Sequence, residues 1–212
     1  MSANAIVFVI DDDPSVRKSL ARLLDAARYK TEVFKSASEF LVRSAYPGPS
    51  CVIVDVKMPG LDGIAMQEAL IEHGRNEQLV FITGHGDVPM CAQAMKAGAV
   101  DFLPKPFKPK QLLESVERAL TRSTEQLFRE SERNDALALL QQLTPREHQV
   151  MELVATGLLN KQVGGKLGMA EKTVKTHRAH MMQKLRITSV AELMVVLQKA
   201  EVTPPVRPGT KV

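Results

Sequence analysis

Short hydrophobic runs that alternate with helical patterns restrict the fold of the first 120 residues. Five runs lie near residues 5–10, 30–34, 50–55, 78–82 and 100–103. Runs of this length, bounded by turn residues, predict buried parallel strands, and the stretches between them predict crossover helices. The sequence therefore predicts an α/β domain built on a five-stranded, doubly wound parallel sheet.

Polar side chains suited to holding a phosphoryl group stand where four of these strands end. Asp11 and Asp12 follow the first strand, Asp55 ends the third, Thr83 follows the fourth and Lys105 follows the fifth. Binding crevices of open parallel sheets lie outside the carboxyl ends of the strands, so we expect these groups to converge. Carboxylates suit Mg²⁺, and a hydroxyl and an ammonium suit phosphoryl oxygens. The sequence therefore predicts a magnesium-assisted phosphoryl site with a carboxylate as the possible acceptor.

The two halves of the chain differ in charge. Residues 1–120 carry 14 basic and 15 acidic residues, whereas residues 121–212 carry 14 and 9. Seven of those bases, with a single acid, lie in residues 161–186. A basic patch confined to one small region is typical of a polyanion binder.

The chain has no signs of export or membrane insertion. No apolar run approaches the length of a membrane helix, and the first strand begins too early to leave room for a secretory signal. Cys51 and Cys91 have no CxxC partner, which favours buried thiols in a reducing compartment. We therefore expect a cytoplasmic protein with no membrane partner.

Four segments follow from these patterns. Residues 1–121 form the α/β domain, and residues 122–142 continue its last helix as a long, mostly exposed helical linker that began near Pro109. Residues 143–200 form an all-α domain, and residues 201–212, rich in proline, are expected to be a disordered tail.

Cap residues predict where helices begin and end. In the first domain, Asp13, Asp62 and Asp87 are candidate N-caps. In the second, Thr144–Glu147 and Ser189–Glu192 have the capping-box pattern, Asn160 is a candidate N-cap, and Gly168 a candidate helix end.

Residues 160–185 have the pattern of two helices joined by a tight turn. On the second helix, Val174, Met181 and Leu185 share one stripe and are expected in the core. The opposite face is polar and basic, which suits the major groove, and we place Arg178 and Lys184 on its flanks near the phosphates. The residues expected to contact DNA are Lys172, Thr173, Lys175, Thr176, Arg178, Ala179 and Lys184.

Residues 4–120 resemble the receiver domain of two-component response regulators, of the NarL/FixJ type. The resemblance is carried by Asp11-Asp12, Asp55-x-x-Met58-Pro59, Thr83-Gly84-His85-Gly86-Asp87, Met95-Lys96-Ala97-Gly98-Ala99 and Lys105-Pro106-Phe107. It implies a flavodoxin-like fold, phosphorylation by a sensor histidine kinase and dimerisation of the phosphorylated form.

The resemblance also implies a role for each motif residue. Asp55 is the implied phosphoacceptor, and Asp12, Asp55 and the backbone carbonyl of Lys57 are the implied Mg²⁺ ligands. Asp11 is implied to act through a bound water or as a weaker ligand. The remaining implied roles are phosphoryl binding by Thr83 and Lys105 and switching by the aromatic Phe102.

Residues 143–200 resemble the LuxR-type DNA-binding domain. The matching residues are Leu143-Thr144-x-Arg146-Glu147, Gly157, Asn160-Lys161, Leu167, Thr173-Val174-Lys175-x-His177 and Lys184-Leu185. The resemblance implies that residues 171–185 form the recognition helix. Two departures are expected to weaken the domain: Ala170 stands where a capping Ser or Thr is usual, and Gly164 where Ala is usual.

The function that we expect is that of a transcription factor rather than an enzyme. It takes a phosphoryl group on Asp55, dimerises, and binds double-stranded promoter DNA to act on RNA polymerase. Two alternatives stay open. A phosphatase of the haloacid-dehalogenase type fits Asp11-Asp12-Asp13 superficially but does not use Asp55, and a phosphorylation-independent DNA binder does not need the complete set of acids, Thr83 and Lys105.

Overall fold

The protein folds as two compact units that divide between Leu127 and Phe128. The computed structural model describes residues 4–84 and 88–203. Within those ranges, no helix combines the length and the apolarity needed to cross a bilayer. The structural boundary lies between the predicted boundaries at residues 121 and 143.

The first unit is built on a five-stranded parallel sheet with the strand order β2-β1-β3-β4-β5. The predicted α/β class is confirmed, and each predicted strand has its counterpart. The strands are β1 (Ile6–Ile10), β2 (Lys30–Phe34), β3 (Ser50–Asp55), β4 (Gln78–Thr83) and β5 (Asp101–Pro104).

The sheet is covered on both faces, which explains why its central strands are apolar along their whole length. Every residue of β1, β3 and β4 is buried, whereas the edge strand β2 is largely exposed. One face packs around Phe8 and Phe81, and the other around Val9 and Ile53. The helices of this unit that lie between strands are α1 (Pro14–Ala26), α2 (Ala37–Leu41), α3 (Gly63–Glu72) and α4 (Val88–Lys96).

Two of the three N-caps predicted in this unit are confirmed. The Asp13 carboxylate accepts from Ser15 N at 2.7 Å, and the Asp62 carboxylate accepts from Ala65 N at 2.8 Å. The third, Asp87, lies outside the described residues.

A helix of 32 residues, α5 (Pro109–Leu140), follows the sheet. Leu112 and Val116 belong to the core of the first unit, where Ser50 N also donates to Ser123 Oγ at 3.0 Å. Ala136 and Leu140 belong to the core of the second unit. The predicted long helix is present, but much of the predicted linker 122–142 is therefore packed into one unit or the other.

The second unit is helical, as predicted. Its helices are the end of α5, α6 (Pro145–Ala155), α7 (Asn160–Leu167), α8 (Glu171–Leu185) and α9 (Val190–Lys199). The predicted core stripe Val174, Met181 and Leu185 is buried. The predicted tail from residue 204 onward lies outside the described residues.

The caps of the second unit follow the sequence patterns with two differences. The capping box of Thr144 and Glu147 is complete, and Gly168 ends α7 at a φ of 64°. Asn160 is not the N-cap of α7, because that position is held by Leu159, whose N–H donates to Gln162 Oε1 at 2.9 Å.

The second difference concerns the pattern Ser189–Glu192. Ser189 does cap α9, since its hydroxyl accepts from Glu192 N at 3.2 Å. The Glu192 carboxylate turns instead to Thr188, accepting from its N–H at 2.7 Å and from its hydroxyl at 3.0 Å. In a complete capping box the Glu192 carboxylate would accept from the N–H of the N-cap Ser189. Here it accepts from the N–H of Thr188, one residue earlier.

Candidate phosphoryl-acceptor and nucleic-acid sites

The strand-end acids converge, as predicted, at the carboxyl edge of the sheet. Asp11, Asp12 and Asp55 each offer a carboxylate oxygen, and these three oxygens lie within 4.8 Å of one another. Asp11 and Asp55 are buried, whereas Asp12 is exposed. The adjacency of β1 and β3 brings these side chains together, since Ile10 pairs with Val54.

Lys105 joins this cluster from the end of β5. Its ammonium lies 2.9 Å from Asp11 Oδ2 and 3.5 Å from Asp55 Oδ1. Lys105 N donates to Thr83 O at 2.7 Å, which holds the lysine beside the end of β4. Thr83 is itself buried. The ends of β1, β3, β4 and β5 therefore form one site.

Asp11 is placed more centrally than the sequence suggested. One of its carboxylate oxygens accepts from Lys105 at 2.9 Å, and the other accepts from Asp13 N at 2.9 Å. Its backbone carbonyl accepts from Arg17 at 2.6 Å. These contacts fix Asp11 in place, and its carboxylate takes part directly in the acidic cluster.

The surroundings of Asp55 shift the pKa of its carboxyl group. Burial raises the pKa of this carboxyl group above its ordinary value, the cation of Lys105 lowers it in part, and the negative charge of Asp11 raises it further. Asp55 Oδ1 is buried and accepts no hydrogen bond from the described residues. Its cationic neighbour is the ammonium of Lys105, 3.5 Å away.

The donor set fits Mg²⁺. Two or three carboxylates at a crevice that is otherwise open to water and phosphoryl oxygens are the ligands that this hard cation prefers. The lack of a hydrogen bond to Asp55 Oδ1 from the described residues is a second indication, because a divalent cation would coordinate this oxygen and relieve the repulsion among the acids. Asp11, Asp12 and Asp55 are the carboxylates that could hold the ion.

The other predicted residues of this site lie nearby. Lys57 is exposed in the loop after β3. Phe102 is half-buried on β5, with its ring centroid 6.1 Å from that of Phe81. Phe102 therefore packs at the edge of the core, where an aromatic switch is expected. His85, Gly86 and Asp87 of the predicted motif lie outside the described residues.

The second candidate site is the outward face of α8. Lys172, Thr173, Lys175, Thr176 and Ala179 are all exposed, as a groove-binding face requires. The bounds of α8 agree with the predicted recognition helix 171–185. Lys175 also forms an exposed ion pair with Glu171 at 3.2 Å, a contact too weak to withhold it from a ligand.

Lys184 does not lie where the sequence analysis placed it. It follows Lys175 by nine residues, and about 100° per residue puts it about 180° away around the helix. Its ammonium instead contacts Glu147 Oε2 at 2.6 Å, and the Glu147 side chain is only 4% exposed. This lysine is thus paired within the domain, whereas the sequence analysis expected it near the DNA phosphates.

Glu147 connects two features of this unit. Burial raises its pKa, but hydrogen bonds from Lys184 and from Thr144 outweigh that effect and lower the pKa to about 2. Glu147 Oε2, the oxygen that contacts Lys184, also accepts a hydrogen bond from Thr144 N at 2.8 Å. Glu147 therefore completes the N-cap of α6 and anchors the last turn of α8.

Arg178 is likewise engaged within the domain. Its guanidinium donates to Asn160 Oδ1 at 3.1 Å, which ties the middle of α8 to the first residue of α7. Asn160 therefore has a packing role rather than the capping role predicted for it. Arg178 is half-buried and retains four further N–H donors.

The turn between α7 and α8 explains why glycine stands at position 164. A Cβ at Gly164 would lie 2.6 Å from Met169 O, so glycine is needed where the turn passes over α7. The expectation that Gly164 merely weakens the helix is therefore wrong. The missing cap at Ala170 is confirmed, since no side chain caps α8 there.

Sequence reasoning missed two functional contacts of the helical unit. The capping box pointed to Glu147 as a cap but did not reveal Lys184 as its second partner, because their separation of 37 residues carries no local signal. The Arg178–Asn160 bond, between residues 18 apart, was missed for the same reason.

Comparisons with known proteins find matches to both units of the chain. Residues 7–117 match the family model of the response regulator receiver domain. Residues 141–197 match that of bacterial regulatory proteins of the luxR family.

Similar proteins match over nearly the whole chain. Nodulation protein W of Bradyrhizobium diazoefficiens is 46% identical, over 91% of this chain and 85% of its own. Transcriptional regulatory protein FixJ of the same organism is 39% identical, over 94% and 98%. The solved structure of response regulator StyR is 44% identical with a TM-score of 0.81 and covers 93% of this chain and all of its own.

A second solved structure also matches over nearly the whole chain. Full-length FixJ from B. japonicum is 36% identical with a TM-score of 0.54 and covers 95% of this chain and 98% of its own. The matches thus extend through the receiver and the helical unit alike. The chain belongs to the NarL/FixJ family of response regulators and is a two-component transcription regulator with a receiver domain and a LuxR-type DNA-binding domain.

Proposed function

We propose that this regulator accepts a phosphoryl group on Asp55 from a sensor histidine kinase. The observation that carries the proposal is the convergence of Asp55, Asp11, Asp12 and Lys105 at one edge of the sheet. Asp55 is the best placed acceptor, because its Oδ1 is free of hydrogen bonds and faces the ammonium of Lys105.

Each neighbouring group has a distinct task in that transfer. Asp12 and Asp55, with the backbone carbonyl of Lys57, would hold Mg²⁺, and Asp11 would act through a bound water or as a weaker ligand. When bound, the ion neutralises charge on the acids and on the phosphoryl oxygens. Lys105 pairs with the phosphoryl charge, and Thr83 bonds a phosphoryl oxygen.

The phosphorylated form dimerises and binds promoter DNA through α8. Lys172, Thr173, Lys175, Thr176 and Ala179 contact the major groove, with Arg178 at its side. Their exposure on one helix, within the most basic part of the chain, supports this assignment. Phe102 acts as the aromatic switch that couples phosphorylation to dimerisation, and the DNA-bound form contacts RNA polymerase. A regulator of chromosomal promoters acts in the cytoplasm.

Intact mass spectrometry tests the acceptor. Acetyl phosphate with Mg²⁺ should add one phosphoryl group to the protein, and Asp55→Asn should abolish the addition. Asp13→Asn is the matched control, because this neighbouring acid caps α1 and should remain dispensable for phosphorylation. Unchanged phosphorylation of the Asp55→Asn variant would refute the assignment.

A further inference from the structure

The basic residues of the DNA-binding unit are not equally available to a ligand. Of the seven bases between residues 161 and 186, Lys184 pairs with Glu147, Lys175 with Glu171, and Arg178 bonds Asn160. The other four make no side-chain hydrogen bond or ion pair with the described residues: Lys161, Lys166, Lys172 and Arg186.

Arg186 stands out among these four because of its backbone. It is the C-cap residue of α8, with φ 56° and ψ 41°, a left-handed conformation that favours glycine or asparagine. A long cationic side chain at this position carries a conformational cost that a glycine avoids. Such an outlier supports a hypothesis of function where the side chain also has something to do.

The position of Arg186 gives that side chain a task. It directly follows Leu185, the last residue of α8, and its left-handed backbone turns the chain out of the helix at this point. Arg186 is exposed, and its single backbone N–H donates to Gln183 O at 3.1 Å. Arg186 therefore presents its guanidinium to solvent at the carboxyl end of α8.

We infer that Arg186 is a DNA-phosphate contact at the carboxyl end of the recognition helix. A helix that enters the major groove by its first turns brings its far end close to the sugar–phosphate backbone. A guanidinium matches phosphate oxygens in geometry and charge, and this one has no competing acid. The inference rests on the proposed DNA binding, and it replaces Lys184 with Arg186 as the phosphate contact of this end of the helix.

The test uses the full-length chain, phosphorylated with acetyl phosphate and Mg²⁺, and a 30-base-pair duplex of random sequence, since a phosphate contact is independent of base sequence. Arg186→Gly removes the guanidinium and suits the left-handed backbone. At 0.1 M salt it should weaken binding roughly five- to tenfold, and it should reduce the slope of log K against log salt by about 0.9. Arg186→Lys, which keeps the charge, should retain the slope.

Two controls separate a phosphate contact from a change in folding. Arg28→Gly makes the same replacement at another left-handed arginine, in the receiver, and should leave DNA affinity unchanged. The Tm of the DNA-binding unit in Arg186→Gly should be unchanged or a few degrees higher, because glycine fits this backbone.

The possible outcomes are distinct. Binding by the wild type with an unchanged slope in Arg186→Gly overturns the inference and leaves the proposed DNA binding intact. A wild type that binds no duplex at any salt concentration overturns both. A reduced slope in Arg186→Gly, with the slope kept in Arg186→Lys and the fold intact, supports the contact.

Discussion

At the scale of single residues, two of the buried carboxylates have pKa values that shift in opposite directions. Asp55 has a raised pKa because burial and Asp11 outweigh the cation of Lys105. Glu147 has a lowered pKa because Lys184 and Thr144 outweigh its burial. The receiver therefore holds a charge that its fold disfavours, whereas the DNA-binding unit holds one that its fold needs.

Asp55→Asn should stabilise the receiver. A carboxyl group whose pKa is raised on folding lowers stability as the pH rises from its ordinary value through the raised value, so at pH 7 the charge is unfavourable. Removing it while Lys105 stays paired with Asp11 should raise the free energy of unfolding by on the order of 1 kcal/mol.

Calorimetric unfolding at pH 7 without Mg²⁺ measures this effect. Asp12→Asn is the comparison, since Asp12 is exposed and should change the Tm much less. A lower Tm in Asp55→Asn than in the wild type would contradict the prediction that the charge of Asp55 destabilises the receiver.

Glu147 should make the DNA-binding unit sensitive to acid. A carboxyl group whose pKa is lowered on folding contributes stability that is present above its unfolded value and lost as the pH falls toward its folded value. The window thus lies between about 4.5 and about 2. Glu147→Gln should cost about 1 kcal/mol at pH 7, because Lys184 loses its ionic partner.

Hydrogen exchange of α6 and α8 at a series of pH values shows whether the pair has this role. The wild type should be more strongly protected from exchange than Glu147→Gln at pH 7, and this difference should disappear as the pH falls from about 4.5 to about 2. A difference between the two proteins that does not change with pH would show that the ion pair contributes nothing.

At the scale of elements, the sequence predicted most of what depends on local pattern. The five strands, the long α5, the bounds of α8 and the caps Asp13, Asp62 and Thr144 are as expected, because periodicity and cap chemistry act over a few residues. The convergence of the strand-end acids was predictable because parallel topology determines it.

The contacts that could not be predicted from the sequence are those between residues far apart in the chain. Lys184 was placed facing DNA, but the tertiary fold brings Glu147 to it. Gly164 was interpreted from helix propensity alone, whereas the close approach of Met169 determines its effect. Local propensity is overridden where two elements touch.

Gly164 and Gly165 provide a test within one helix. Gly164→Ala forces a Cβ against Met169 O and should destabilise the DNA-binding unit by about 1–3 kcal/mol. Gly165→Ala meets no atom within 4 Å and should stabilise it by up to about 1 kcal/mol. Urea unfolding of both variants measures the difference, and equal effects would mean that the turn adjusts freely around α7.

At the scale of the whole molecule, the receiver carries the proposed acceptor site and the helical unit carries the proposed DNA-facing helix. The helix α5 belongs to both, since Leu112 lies in one core and Leu140 in the other. Control of one unit by the other requires that phosphorylation change the preference of the chain between two states.

The most direct test of this account is the affinity for promoter DNA before and after phosphorylation at Asp55. Promoter fragments recovered by genome-wide binding of the wild type, with an acyl-phosphate donor present, provide the probe. Acetyl phosphate with Mg²⁺ should raise the affinity of the wild type at least fivefold, in keeping with a typical coupling free energy of about 1–3 kcal/mol, and leave Asp55→Asn unchanged. Equal affinities of the phosphorylated and unphosphorylated wild type, or an equal gain in Asp55→Asn, would contradict it.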